Sequence, residues 1–179
     1  MLKKLINPLS RSYREFKHLI NDQEFTWSWS PVSVPLSVKP DKFMDKGYYT
    51  HAFLTRPEEG HLLFPKESSK HIKLAYTIVS QILMANNIKP FIFYRINANC
   101  DHPDESGLPN LPHVDHKFPH ENLLIYLSNP NEGYTMVEGE KYYGKEDDVI
   151  LFNGVHCNAA PKIGRRLVTI ATFSRCDSQ

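Results

Sequence analysis

The sequence predicts a mostly β fold with flanking helices, an antiparallel sandwich or jelly roll, and three observations carry that expectation. From Phe91 onward the chain is a series of short β-branched or aromatic runs: Phe91 to Asn97, Leu123 to Ser128, Tyr134 to Glu138, Lys141 to Tyr143, Val149 to Phe152 and Leu167 to Phe173. Runs of this length and composition read as strands. Turn-forming residues separate them, at Asn129-Pro130-Asn131-Glu132-Gly133, Glu138-Gly139 and Asn153-Gly154, and strands so closely spaced favour antiparallel pairing over a parallel sheet. Third, Ile72, Ala75, Ile78, Val79, Ile82 and Leu83 recur at helical spacing and form one apolar stripe, the face of a helix packed on a sheet.

The remaining elements follow in order. Leu2, Leu5, Ile6, Leu9, Tyr13, Phe16 and Ile20 place a first helix within residues 2 to 20, with Pro8 tolerable near its start. Phe25-Thr26-Trp27-Ser28-Trp29 alternates aromatic and small polar residues as a half-buried strand does, and Pro31, Pro35 and Pro40 then break regular structure. Gly47 to Leu54 reads as a further strand. Ser68 or Ser69 is placed to cap the second helix, which Asn86-Asn87 ends before Pro90. The longest irregular stretch, Asn99 to Asn110, is rich in Asp, Pro and Gly and has the character of a binding loop or a plain connection.

At 179 residues, 41% hydrophobic and 12% aromatic, the chain suits a single domain spanning residues 1–179. Its 21 Lys and Arg against 20 Asp and Glu leave no basic footprint for nucleic acid. The start has the charge of a signal peptide without the apolar run, and no stretch is long and apolar enough for a bilayer, so a soluble, cytoplasmic protein is expected. Cys100, Cys157 and Cys176 are too few and scattered for a disulfide framework and fit a reducing compartment.

The chemistry concentrates at Leu111-Pro112-His113-Val114-Asp115. Alternate side chains of an extended segment share a face, which sets the His113 imidazole beside the Asp115 carboxylate. A second histidine on a neighbouring strand would complete a two-histidine, one-carboxylate face suited to iron(II), and His156 is the candidate. Other histidines read more plainly: His18, His51, His61 and His71 as surface or satisfied residues. His113, His116 and His120 are an alternative zinc set, disfavoured because His116 faces away from His113 on a strand and His120 needs a turn to return. Taken alone, Arg165-Arg166 is a solvated pair, Tyr126 a core residue, and Glu146-Asp147-Asp148 a solvated turn.

Together these residues resemble a known family. Tyr94-Arg95-Ile96-Asn97, the HxD of His113 and Asp115, Leu124-Ile125-Tyr126-Leu127-Ser128, Gly133-Tyr134-Thr135, Asp148-Val149-Ile150-Leu151-Phe152, and His156 followed by Gly164-Arg165-Arg166 are similar to the iron(II)- and 2-oxoglutarate-dependent oxygenases, in particular their prolyl-hydroxylase-like branch. The resemblance covers roughly residues 91 to 175 and implies a double-stranded β-helix, a jelly roll, with helices packed on one sheet. It makes 91–175 the catalytic core and residues 1–90 its support. It further implies that His113, Asp115 and His156 hold Fe(II), and that 2-oxoglutarate and O2 are co-substrates, with ascorbate a candidate accessory reductant. The distal carboxylate of 2-oxoglutarate would take a bidentate arginine. Arg166, ten residues after His156 and two after Gly164, has the Gly-x-Arg spacing and is chosen over Arg165, since only one of two neighbours can face the pocket. Tyr126 is a second anchor, with Tyr94, Asn97 or Asn99 as further polar contacts. The implied activity is hydroxylation of a C–H bond, for which prolyl residues of a peptide or protein are the first substrates to consider and small molecules the second. Family members that halogenate lack the carboxylate that Asp115 supplies. A non-catalytic or cupin-like metal-binding jelly roll is the competing class.

Overall fold

The structure is a computed structural model that describes residues 2–31, 43, 46–56 and 64–175. His61, Cys176, Pro35 and Pro40 lie outside the described residues. Eleven strands and two helices run in the order β1 (Leu2–Leu5), α1 (Arg11–Asn21), β2 (Ser28–Ser30), β3 (Tyr48–Thr55), β4 (Lys66–Glu67), α2 (Ile72–Ala85), β5 (Pro90–Asp101), β6 (Glu121–Tyr126), β7 (Tyr134–Val137), β8 (Glu140–Tyr142), β9 (Val149–Phe152), β10 (His156–Ala159) and β11 (Arg166–Arg175) among the described residues. They build a large sheet in the order β1-β9-β6-β11-β5-β3-β2, with β4 paired to β3, and a small sheet β10-β7-β8. Every pairing is antiparallel. This is a jelly roll with both helices on the outer face of the large sheet.

Strand alternation decides what each face carries. Leu167, Ala171 and Phe173 of β11, Leu123 and Ile125 of β6, and Ile96, Ala98 and Cys100 of β5 pack with Tyr13, Phe16 and Ile20 of α1 and with the apolar stripe of α2. The opposite face presents Val168 and Ile170, Leu124 and Tyr126, and Ile150 and Phe152, which meet Val137 of the small sheet in a second core. On that inner face β5 is polar: Arg95, Asn97, Asn99 and Asp101 alternate with the apolar residues turned to the helices.

Several elements differ from the sequence expectation. The first helix begins only at Arg11, because Leu9 sits at φ 48° and the Ser10 side chain accepts from the Tyr13 N–H as an N-cap. Leu2–Leu5 is instead a strand that covers the β9 edge. In α2 the N-cap is His71, without a side-chain cap bond; the Ser69 hydroxyl accepts from the His71 N–H and pairs with the His51 ring. The strand expected over Phe25–Trp29 starts at Ser28, since Phe25 turns into the core against Trp27 and His51. Strand β5 runs through Asp101, so residues 99 to 101 leave the expected irregular stretch and extend the polar inner face.

Candidate metal centre

His113 and His156 are brought together by a single antiparallel bridge: each backbone N–H donates to the other's carbonyl at 2.9 Å, and the two rings stand 4.6 Å apart. Each ring is oriented in the same way. His113 Nδ1 lies 3.1 Å from the Leu111 carbonyl and His156 Nδ1 3.2 Å from the Gly154 carbonyl, both two residues back. A carbonyl only accepts, so Nδ1 carries a proton and Nε2 is the ring atom left to face a metal. Asp115 follows in a bend and not in a regular strand, yet the expected convergence holds. One ligand atom from each of His113, Asp115 and His156 lies within 4.8 Å of the others; this is the one such group of three found among the described residues.

The Asp115 carboxylate is 1% exposed and its two oxygens differ. Oδ1 accepts from Arg95 Nη1 at 2.6 Å and from Arg56 Nη2 at 3.4 Å, while Arg56 Nη1 holds the Asp115 carbonyl at 3.0 Å. Oδ2 has no hydrogen-bond partner and stands 3.4 Å from His156 Nε2. A buried carboxylate oxygen without a donor is costly, and a divalent cation held between it and the two Nε2 atoms would satisfy it. Burial alone would raise the Asp115 pKa, but His156 and Arg95 beside it hold the group well below the usual carboxylate range. Burial, and His156 next to it, push His113 down. Both shifts leave these side chains in the protonation state that metal binding would require, and the donor set fits a facial iron(II) site with open positions.

A chain of polar contacts leads from this cluster into the interior. Asn158 stands two residues after His156 on β10, on the same face and therefore about 7 Å along the strand. Its Nδ2 donates to Asp101 Oδ2 at 3.1 Å, and the same oxygen takes Arg166 Nη1 at 2.8 Å. Arg166 Nη2 donates to Thr135 Oγ1 at 2.9 Å, and Thr135 pairs with the Tyr126 hydroxyl at 2.7 Å. The Tyr126 ring lies under the guanidinium, 5.6 Å from its centroid. Arg166 is buried, and its Nε–H has no partner. Arg165 points outward. Burial pushes the Tyr126 phenol up. Gly144 is pressed against that ring so closely that a Cβ there would stand 2.3 Å from Tyr126 Cζ.

The other sequence candidates fall elsewhere. Asn97 donates to Asn99 on the inner face of β5, whereas Tyr94 bonds Ser174 and packs on His116 and Phe118. His116 Nε2 is engaged by the Thr172 hydroxyl at 2.7 Å, and burial with His120 close by pushes it down to about 4. His51 is satisfied by Thr26 and Ser69. The solvated reading of the acidic run is half right: Asp147 accepts from Tyr13 and Lys17, and Asp148 from Tyr142, tying α1 and β8 to the turn. Sequence reasoning missed Arg95, Arg56, Asp101, Thr135 and Asn158 as parts of this region. A signal for two of them exists, because polar residues at every second position from Arg95 to Asp101 mark a strand whose polar face must point at something.

No family model and no curated protein matches the chain. Solved structures do. An oxidoreductase of the 2OG-Fe(II) oxygenase family from Burkholderia pseudomallei is similar at TM-score 0.64 and 10% identity, over 90% of this chain and 78% of that one. The chain shares the fold of the 2OG-Fe(II) oxygenases. A prolyl hydroxylase from Trichoplax adhaerens, in complex with a hypoxia-inducible-factor degradation-domain peptide, gives 0.58 at 16% identity over 96% and 82%. The non-heme α-ketoglutarate-dependent carbocyclase SnoK from nogalamycin biosynthesis gives 0.60 at 12% over 96% and 78%. At these identities the likeness is one of fold, and the fold carries more than one chemistry. No helix among the described residues is long and apolar enough to cross a membrane.

Proposed function

We propose that this protein is an iron(II)- and 2-oxoglutarate-dependent dioxygenase that hydroxylates a C–H bond. The observation that carries the reading is the convergence of two backbone-locked imidazoles on a buried carboxylate oxygen with no hydrogen-bond partner. In this reading His113, Asp115 and His156 hold the metal. When bound, iron(II) with 2-oxoglutarate supplies dioxygen activation coupled to oxidative decarboxylation of the 2-oxo acid to succinate and carbon dioxide. Arg166 takes the distal carboxylate through its unpartnered Nε–H, with Thr135 holding Nη2 and the Tyr126 ring against the guanidinium. Asn158, which shares the Asp101 oxygen with Arg166, stands two residues from His156 on the same face of β10.

A prolyl residue in a peptide or protein is the first substrate class to test, because a prolyl hydroxylase of this fold is seen in complex with such a peptide; small molecules come second, given the nogalamycin-biosynthesis enzymes among the neighbours. Retention of Asp115 as a ligand argues for hydroxylation over halogenation.

The test is iron(II)-dependent formation of succinate from 2-oxoglutarate, slow alone and faster with a substrate from a peptide and metabolite panel. Alanine at His113, Asp115 or His156 should abolish it together with metal binding. Metal and 2-oxoglutarate binding with no turnover across the whole panel would make the protein a binding module instead.

A further inference from the structure

Arg166 is not a free anchor. Its Nη1 is already held by the Asp101 carboxylate at 2.8 Å, across directly paired positions of β11 and β5. Both side chains are buried, at 4% and 9% exposure, and Asn158 fixes the same Asp101 oxygen from the small sheet. The unpartnered Nε–H therefore lies on a guanidinium whose charge is largely compensated inside the protein. We infer that Asp101 shares Arg166 with the distal carboxylate of the co-substrate and thereby sets how tightly that acid binds. This rests on the reading of Arg166 as the anchor.

The physical argument has two sides. An arginine this buried needs a counter-charge when no ligand is present, and Asp101 provides it. An incoming carboxylate then meets a shared cation with a like charge beside it, which weakens the contact relative to an unshared arginine. The guanidinium has donors for both partners, because its five N–H groups include the unpartnered Nε–H and a second Nη2 proton beside the one that Thr135 takes, away from the Nη1 that Asp101 uses. Asp101 also lines an outer cleft of about 430 Å³ with Lys46, whose own ion pair is with Asp104.

The experiment compares 2-oxoglutarate with 2-oxopentanoate, the same 2-oxo acid chain without the distal carboxylate, on oxygen-free protein loaded with Mn(II). The parent should prefer 2-oxoglutarate by no more than ~30-fold, the low end for a charge-assisted carboxylate contact. Asp101→Asn keeps an acceptor for Nη1 and removes the charge; it should tighten 2-oxoglutarate about tenfold or more and leave 2-oxopentanoate unchanged. Asp101→Ser serves if the first variant does not fold, and the parent preference decides the matter if neither folds. Weaker 2-oxoglutarate binding in the variant, equal shifts for both acids, or a parent preference in the thousands would overturn the inference. A parent that binds both acids equally would instead remove Arg166 as the anchor, and the inference with it.

Discussion

Gly144→Ala tests whether the Tyr126–Thr135–Arg166 chain is a packed device or a loose set of contacts. An added Cβ would meet Tyr126 Cζ at 2.3 Å, Cε1 at 2.4 Å and Cε2 at 2.5 Å, all far inside contact distance. The ring has no free direction: Tyr126 is fully buried, its hydroxyl is held by Thr135 and the Arg166 guanidinium covers it. Overpacking of this kind typically costs about 1–3 kcal/mol, which for a chain of this size lowers Tm by roughly 2–12 °C. Displacing the ring should also loosen the Arg166 fork, so 2-oxoglutarate binding weakens while Mn(II) binding, which uses none of these residues, does not change. Thermal unfolding and ligand titration of the Mn(II) protein measure the two effects. Tyr126→Leu removes the offending ring and should make the second substitution nearly silent, giving a favourable coupling energy in a double-mutant cycle. If Gly144→Ala left both Tm and 2-oxoglutarate affinity at parental values, the close packing argued for this end of the pocket would be wrong.

Three further outcomes are expected. Arg95→Leu leaves Asp115 buried with only the longer Arg56 contact and should destabilise the metal-free protein by about 3 kcal/mol, the low end for breaking a buried pair; because a bound cation replaces the lost charge, Mn(II) should raise Tm more in this variant than in the parent. Arg166→Ala should lower stability by about 3–5 kcal/mol by stranding Asp101 and weaken 2-oxoglutarate, whereas Arg165→Ala, on an exposed side chain, should change either quantity little. Burial depresses His113 and, to about 4, His116; below an unfolded pKa near 6.5 the unfolded chain takes protons the folded one refuses, so metal-free stability should fall as pH drops from about 6.5 towards 4, measured by urea unfolding across that range.

The large features were legible because periodicity reports burial. The stripe of α2 has one face that must be covered, whereas the apolar runs Val149–Phe152 and Leu167–Phe173 are buried on both faces, and the HxD spacing placed its two side chains together even though Asp115 lies in a bend. What stayed hidden was set by pairing partners far away in sequence. Leu2–Leu5 matches helical spacing as well as a strand's and becomes a strand because β9 offers an open edge. His156–Ala159, with the composition His-Cys-Asn-Ala, has little strand propensity and is a strand because β7 pairs with it. Asp101 and Thr135 were invisible as partners of Arg166, since nothing local announces a contact across 65 or 31 positions.

The distribution of unsatisfied polar atoms bears on how a bound acid would lie. Asp115 Oδ2, Asn97 Oδ1 and Arg166 Nε are buried without partners, and each such group costs about 1–3 kcal/mol. Others, such as the Asn122 amide and Thr169 Oγ1, lie on β6 and β11, but these three follow one strand: Asn97 lies on β5, Arg166 is paired to its end, and Asp115 is held by Arg95 of the same strand. The facing walls from β6, β9 and β11 are apolar at Leu124, Ile150, Val168 and Ile170. A carboxylate could satisfy only one of the three orphaned atoms, since Arg166 Nε–H donates whereas Asp115 Oδ2 and Asn97 Oδ1 accept; the two acceptors need a cation and an N–H or O–H donor. A neutral hydrophobic ligand would leave all three atoms unpaired. Buried polar groups of this cost persist where a site uses them, and the two kinds of orphan here ask for opposite partners, a cation beside Asp115 Oδ2 and an acceptor beside Arg166 Nε–H.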